Sequence, residues 1–283
     1  MPIEHISDTA RWVAYYRAME TDRPDALFRD QYAKRLAGER GEEIVNTMRR
    51  GRATAWAMIV RTQVMDELIL GAIANQGIEQ VVNLAAGLDT RPWRLPLPAT
   101  LKWFDVDLPG ILGYKTEQIA DAVPVCAYEA IAADLTDSGV RASVLERIGA
   151  GGLTTLVVTE GLLIYLTAEQ VGGLATALHG TANVKLWLID LASPRLLKIM
   201  TNFWGKAAKA GAAEFKFAPE EGTGFFEKFG WREQEYRSAM DEAHRLKREM
   251  RLMWLWRALA SIRPAHKREE IRRMSGMVML ERT

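Results

Sequence analysis

The residues best suited to chemistry are one glycine and three acids, Gly87, Asp107, Asp134 and Glu160, which lie at or beyond the ends of short apolar runs. Asp107 follows Gly87 by 20 residues. In doubly wound folds this separation puts an acid at the tip of the strand beside the glycine loop, where its carboxylate can accept hydrogen bonds from ribose hydroxyls. The pattern predicts a site for a ligand that contains a nucleoside.

The glycine pattern itself is incomplete. If Gly87 is aligned with the middle glycine of G-x-G-x-x-G, Ala85 and Thr90 occupy the outer two positions. A turn that cradles phosphate is therefore poorly supported. On this stretch alone, an ordinary turn between a strand and a helix, without a ligand, remains the alternative.

Alternating strands and helices from residue 80 onward predict a mainly parallel sheet. The predicted strands are 80–85, 101–106, 123–129, 154–160 and 184–190, and the helices between them lie near 108–120, 138–149 and 167–180. Right-handed crossovers bring the carboxyl ends of such strands to one edge, where ligands bind. We therefore expect Gly87 and the three acids to face one cleft.

The rest of the chain surrounds this core. Before the first strand, helices are predicted at 8–20, at 28–38 ending at Gly38, and at 52–76; after the last, helices at 194–210 and 238–259 and strands at 231–237 and 277–280. The predicted fold class is α/β, a doubly wound, mainly parallel Rossmann-like sheet with an N-terminal helical cap. One domain would comprise a cap (1–78), a cofactor-binding core (79–192) and substrate-side and C-terminal elements (193–283).

Composition limits the classes of partner. The 283 residues are 48% hydrophobic and carry a net charge of +1, so bulk charge favours neither nucleic acid nor an acidic partner. The single cysteine, Cys126, excludes an intrachain disulfide and a cysteine-rich metal site, and we expect it in the core. No metal is expected. No apolar run approaches the ~18–20 residues of a membrane span, and the N-terminus lacks the features of a signal peptide, so a cytoplasmic location is expected.

Three ordered segments, 83–91, 105–109 and 159–166, resemble the leucine carboxyl methyltransferase family. This group of S-adenosylmethionine-dependent O-methyltransferases includes methyltransferases of protein phosphatase and polyketide carboxyl groups. Segments 9–14 and 20–30 resemble its bacterial members, so the similarity covers about residues 9–190. The C-terminal third carries no motif of this kind.

The resemblance implies roles at both ends of the cofactor S-adenosyl-L-methionine. At the methionine end, Arg61 would pair with the carboxylate, Gly87 would let the backbone approach closely, and Glu160 would lie near the amino group or the site of methyl transfer. Ala85 departs from the family, which commonly has glycine there.

At the nucleoside end, the resemblance implies that Asp107 holds the ribose hydroxyls and that Asp134 and Leu135 contact the adenine.

The sequence constrains the methyl acceptor less than the cofactor. The chain has only four histidines, at positions 5, 179, 244 and 266, and none adjoins a cofactor motif. A carboxylate acceptor needs no base, whereas a hydroxyl usually does. The sequence therefore favours an O-methyltransferase that acts on a carboxylate of a small molecule, with no nucleic acid or membrane span expected.

No catalytic residue is identified from the sequence. The candidates for positioning an acceptor are Tyr15, Tyr16, Arg17, Tyr165 and Arg195.

Two other functions remain open. An NAD(P)-dependent oxidoreductase would also place an acid about twenty residues after the glycine. A non-catalytic nucleoside-binding module could bind an anionic partner through the stretch 244–273. In this stretch Lys and Arg outnumber the acidic residues by ten to three. Such a stretch is more often an amphipathic helix with solvated arginines.

Overall fold

A seven-stranded sheet forms the centre of the computed structural model, which describes residues 7–48, 51–210, 214–250, 253, 255 and 263–283. The strands are β1 (Gln80–Leu84), β2 (Lys102–Asp107), β3 (Ala127–Ala132), β4 (Thr155–Thr159), β5 (Val184–Ala192), β6 (Trp231–Ser238) and β7 (Ser275–Arg282). Their order is β3-β2-β1-β4-β5-β7-β6, and β7 runs antiparallel to both of its neighbours. The predicted α/β fold with a mainly parallel sheet is confirmed.

The central strands explain why the sheet was recognisable. Every residue of β1 and β4 is buried, as expected for apolar strands covered by helices on both faces. One core cluster includes Trp187 and Trp231, and a second includes Trp103. Cys126 is buried in the second cluster, as the sequence predicted.

In the part of the chain that the structure describes, three helices precede the sheet. They are α1 (Ser7–Thr21), α2 (Ala33–Thr47) and α3 (Ala55–Asn75), with a 3-10 turn at Gly51–Thr54 before α3. The second helix was predicted at 28–38, but it begins later and extends further. Gly38 has φ of +58° and interrupts α2, so the predicted stop is a kink inside a longer helical segment. The division of the chain at residues 78 and 192 remains a prediction.

Helices also connect the strands and follow them. They are α4 (Arg91–Arg94), α5 (Pro109–Gln118), α6 (Ser138–Gly149), α7 (Ala168–Gly180), α8 (Pro194–Ala210), α9 (Ala239–Arg245) and α10 (Ala265–Arg272), with 3-10 turns at Leu163–Tyr165 and Gly222–Phe229. Three of these helices begin at a side-chain N-cap, with Ser238 at the start of α9. Asp137 caps α6, and Thr167 with Gln170 forms a capping box at α7. None of the helices in the described ranges is long and apolar enough to cross a membrane.

Two further predicted elements were misplaced. The strand predicted at 123–129 is β3 at Ala127–Ala132, because the apolar run at its start lies outside the sheet, where Val123 is 82% exposed. The helix predicted at 238–259 is α9, which ends at Arg245, and Lys247 then adopts a left-handed conformation with φ of +55°. Much of the remaining predicted helix lies outside the described residues.

Candidate active site

A cavity of about 2020 Å³ lies where the carboxyl ends of the parallel strands meet the N-terminal helices. Its wall includes residues from or just beyond the ends of β1, β2, β3, β4 and β5, together with parts of α1 and α3. All six residues that the sequence singled out line it: Arg61, Gly87, Asp107, Asp134, Leu135 and Glu160. The fold thus brings together side chains that are far apart in the chain.

Asp107 and the loop after β1 form one hydrogen-bonded unit. The Gly87 N–H donates to Asp107 Oδ2 at 2.6 Å, and the Leu108 N–H donates to Oδ1 at 2.7 Å. Burial raises the pKa of Asp107 above its usual value, although both backbone bonds oppose that shift. Each carboxylate oxygen accepts one protein hydrogen bond and keeps lone-pair capacity toward the cavity.

Backbone conformation in the same loop accounts for its small residues. Gly87 has φ of +53° and Ala85 has φ of +56°. A side chain with a Cβ is strained in this left-handed region, which suits the glycine that the family commonly has at the position of Ala85. The chain therefore keeps the turn but carries strain at one residue.

Arg61 and Glu160 meet in a partly buried ion-paired group that also contains Asp190. Arg61 Nε donates to Glu160 Oε1 at 2.9 Å, and Arg61 Nη1 donates to Asp190 Oδ2 at 2.8 Å. The Gly161 N–H donates to Asp190 Oδ1 at 2.8 Å. Gly161 has φ of +67°, and a Cβ added there would lie 3.2 Å from Arg61 Nη1. The arrangement fixes the guanidinium between two acids at the cavity wall.

Arg91 also contacts this ion-paired group, through Glu160. It is 2% exposed and donates from Nε to Asp66 at 2.6 Å and from Nη1 to Asp89 at 2.7 Å and to Glu160 Oε2 at 2.8 Å. Burial by itself would raise the pKa of Glu160, but Arg91 and Arg61 together lower it below its usual value. Glu160 therefore remains an anion at neutral pH.

Arg91 and Asp190 were not identified as site residues from the sequence. Asp190 lies in β5, so the rule that selected Glu160 beyond β4 could have found it. Arg91 opens α4 directly after the glycine loop, but nothing in the local pattern indicates that its guanidinium turns inward to three carboxylates.

Asp134 and Leu135 lie on the loop after β3. Asp134 is exposed, and its Oδ1 accepts hydrogen bonds from the Thr136 N–H at 2.9 Å and from the Thr136 hydroxyl at 2.7 Å. These bonds lower the pKa of Asp134. Leu135 is half-buried and packs on the core cluster beside the cavity. One apolar and one polar group thus flank this end of the wall.

Three of the five candidates for acceptor positioning lie outside the cavity wall. The Tyr16 hydroxyl is buried and donates to the Gly51 carbonyl at 2.6 Å, and the Tyr15 hydroxyl donates to Glu42 at 2.7 Å. Arg195 is exposed on α8. These contacts give the tyrosines structural roles.

Arg17 and Tyr165 do line the cavity. The Arg17 guanidinium binds Asp30 at 2.8 Å and the Leu88 carbonyl at 2.6 Å, so it holds the cap to the glycine loop. The Tyr165 ring packs on Phe215 with 5.8 Å between centroids, and burial raises the pKa of Tyr165 to about 12. Its hydroxyl therefore stays protonated at neutral pH and can donate a hydrogen bond.

The basic stretch 244–273 is largely paired with acids of its own chain where the structure describes it. Arg245 contacts Glu67 at 2.7 Å, and Arg248 contacts Glu20 at 2.8 Å. Arg273 binds Glu233 at 2.8 Å. These arginines tie neighbouring elements together, which accounts for them without an anionic partner and corrects the expectation that they are simply solvated.

Comparison with known proteins agrees with the class that the sheet defines, the α/β methyltransferases. The leucine carboxyl methyltransferase family model matches residues 10–179. A candidate S-adenosyl-L-methionine-dependent methyltransferase from Parafrankia sp. is 36% identical over 181 residues, which are 60% of this chain and 58% of that protein. Another from Frankia alni is 31% identical over 251 residues, 81% of this chain and 83% of that protein.

A solved structure supports the fold over nearly the whole length. A DUF574 family protein from Streptomyces avermitilis matches with a TM-score of 0.60 and 11% identity over 97% of both chains. The chain belongs to the leucine carboxyl methyltransferase family, a class of methyltransferases whose cofactor is S-adenosyl-L-methionine. This membership removes the basis for a nicotinamide cofactor, and the antiparallel β7 between β5 and β6 also departs from the strand order 3-2-1-4-5-6 of dinucleotide-binding folds.

Proposed function

We propose that the protein is an S-adenosyl-L-methionine-dependent O-methyltransferase that acts on a carboxylate of a small molecule. The observation that carries this proposal is the state of the acids at the strand ends. Glu160 is held by two guanidinium groups, Asp190 by Arg61 and a backbone N–H, and Asp107 by two backbone N–H groups. Each of them already has a hydrogen-bond partner or an assigned cofactor group, so we assign none of them as a general base.

Histidine does not supply a base either. Among the residues that the structure describes, no histidine lines the cavity. A phenol or alcohol acceptor usually needs help to lose its proton, whereas a carboxylate is ionised at neutral pH. The acids at the strand ends are already hydrogen-bonded, and no described histidine lines the cavity. The site therefore suits a carboxylate acceptor, which needs no general base.

The residues at the strand ends fit the cofactor. When bound, S-adenosyl-L-methionine supplies a methyl group on a sulfonium centre for transfer to an acceptor oxygen. Arg61 would bind the methionine carboxylate through Nη2, which donates no hydrogen bond to any described residue. Glu160 and Asp190 provide negative charge for the ammonium and sulfonium groups. Each oxygen of Asp107 accepts one backbone N–H and could accept a further hydrogen bond from a ribose hydroxyl. Asp134 and Leu135 would flank the adenine.

Tyr165 is the best-placed residue to orient the acceptor. It lines the cavity near Arg61, and its hydroxyl can donate a hydrogen bond to a carboxylate oxygen without competing for a proton. We expect Tyr165→Phe to raise the KM for the acceptor while leaving the affinity for S-adenosylhomocysteine within about twofold, because the change removes one hydroxyl. A matched loss of cofactor affinity would contradict this role.

The product identifies the reaction. The enzyme is incubated with methyl-labelled cofactor and pairs of acceptors that share a skeleton and differ in bearing a carboxylate, an alcohol or a phenol. A carboxyl methyl ester releases labelled methanol in mild base, whereas a methyl ether does not. We expect base-labile product from the acids alone. Base-stable product would overturn the carboxylate assignment, and failure to bind S-adenosylhomocysteine in a calorimetric titration would overturn the methyltransferase proposal.

A further inference from the structure

The cavity is larger than a single cofactor requires. Its volume is about 2020 Å³, whereas pockets for small molecules usually measure about 300–1,000 Å³. The predicted cofactor residues lie mainly at the strand ends. Much of the remaining wall comes from α1, the start of α3, α8 and the segments 215–217 and 247–250. This second part of the cavity is available to the acceptor.

Methionines are frequent in the wall of the cavity. Of the eleven methionines among the described residues, seven line it, from Met19 in α1 to Met277 in β7. Methionine is unbranched and polarisable, so a methionine-rich wall adapts to bulky apolar ligands of irregular shape.

One face of α8 extends this apolar wall. Leu196, Ile199 and Phe203 recur at helical spacing and all line the cavity. Ile199 is 40% exposed, and Met250, which follows α9 in the chain and also lines the cavity, is 41% exposed. Apolar side chains that face a cavity instead of the core indicate a surface that a ligand covers.

Charged side chains accompany this apolar wall, among them the acids Glu169 and Glu249 and two lysines. Lys216 and Lys247 line the cavity and are exposed, and neither ammonium group forms an ion pair with any residue that the structure describes. Lys216 lies close to Tyr165, because its N–H donates to the Ile164 carbonyl at 2.7 Å and the preceding Phe215 packs on the Tyr165 ring. An acid is therefore favoured over a neutral apolar molecule.

We propose that the methyl acceptor is an amphiphilic carboxylic acid with an extended apolar body. Its body lies against α8 and the methionines, and its carboxylate is directed to Tyr165 and Lys216. This inference rests on the proposed function, since it names the class of acid that the enzyme methylates.

A chain-length series tests the apolar body. Butanoate, octanoate, dodecanoate and hexadecanoate are compared as acceptors, and ester formation is measured as base-labile methanol. We expect kcat/KM to rise by roughly two- to fourfold for each methylene that becomes buried, up to the length that fills the wall. A flat series with ester formed from every acid would overturn this inference and leave the carboxyl methyltransferase intact.

Binding separates the two proposals if no ester forms. Dodecanoate, butanoate and dodecanol are each titrated into the complex with S-adenosylhomocysteine. We expect dodecanoate to bind at least about tenfold more tightly than butanoate, because of its longer apolar chain, and more tightly than dodecanol, because of its charge. Equal affinities for dodecanol and dodecanoate would refute the proposed interaction of the carboxylate with Lys216. Tight binding of dodecanoate without transfer would refute the proposed function alone, and no binding of dodecanoate would refute the amphiphilic acceptor.

Two matched surface variants locate the binding wall. Ile199 on α8 and Val140 on α6 are exposed to similar extents, 40% and 38%, but only Ile199 lines the cavity. We expect Ile199→Asn to lower kcat/KM for dodecanoate about tenfold, with a smaller loss for butanoate, and Val140→Asn to change neither. Unchanged affinity for S-adenosylhomocysteine confirms that each variant is folded. Equal effects of the two variants would overturn the assignment of α8.

Discussion

Replacing Asp107 with alanine should remove most of the cofactor affinity while the protein stays folded. Each oxygen of Asp107 accepts one backbone N–H, from Gly87 or Leu108, which leaves acceptor capacity for two ribose hydroxyls. A hydrogen bond to a charged group contributes about 1.5–3 kcal/mol. Loss of two such bonds, about 3 kcal/mol at the lower end, weakens binding by roughly 100-fold or more.

Asp105 provides the matched control, because it lies two residues earlier in the same strand and does not line the cavity. It is fully buried, accepts a hydrogen bond from Trp103 Nε1 at 2.8 Å and pairs with the buried Lys115. Removing one partner of a buried ion pair costs about 3–5 kcal/mol. Asp105→Asn should therefore lower the free energy of unfolding and leave the cofactor affinity of the folded fraction nearly unchanged.

Two measurements on each variant separate these effects. Calorimetric titration with S-adenosylhomocysteine gives affinity, and urea denaturation gives the free energy of unfolding. We expect Asp107→Ala to change mainly the first quantity and Asp105→Asn mainly the second. Comparable losses of affinity in the two variants, or full affinity in Asp107→Ala, would show that Asp107 is not the ribose ligand.

Three further changes test strain, packing and charge. Ala85→Gly should raise the free energy of unfolding in urea by about 0.5–1 kcal/mol, because it relieves the left-handed φ of +56°; a decrease would refute the strain. Gly161→Ala should weaken cofactor binding about tenfold by displacing Arg61, whose Nη1 would be 3.2 Å from the new Cβ, whereas Gly113→Ala, with open space around it, should not. The pKa of Glu160 is lowered below the ordinary 4.5, so its contribution to stability is present above that pH and is lost on acidification; Glu160→Gln should show a shallower acid loss in urea titrations, and an unchanged slope would contradict the charge assignment.

The sequence predicted the strands of the sheet correctly where an apolar run coincides with a strand that is buried on both faces. Buried parallel strands are continuous apolar runs, so β1 and β4 were located to within one residue at each end. β3 was misplaced because it is an edge strand with mixed exposure, while the neighbouring run around Val123 and Val125 is apolar but exposed. Apolar composition alone does not distinguish these two cases.

The candidate site was predicted wherever a residue's place depends on a strand end. Glu160 and Asp107 lie at the cavity for that reason. Arg91 could not be found in this way, because its role depends on carboxylates from α3, the glycine loop and the end of β4 that meet only in the folded chain. The apolar wall of the cavity could not be predicted from the sequence either, because Met19 and Met277 share no local sequence pattern.

The position of β7 has a consequence for how the protein folds during synthesis. In the described sheet, β6 pairs with β7 alone, and β7 lies between β5 and β6. When residues 231–238 leave the ribosome, they therefore have no partner until residues 275–282 follow. An unpaired strand edge invites wrong association. The nascent chain should depend on chaperones most in this interval, and a translational pause between the two strands should lower the yield of native protein.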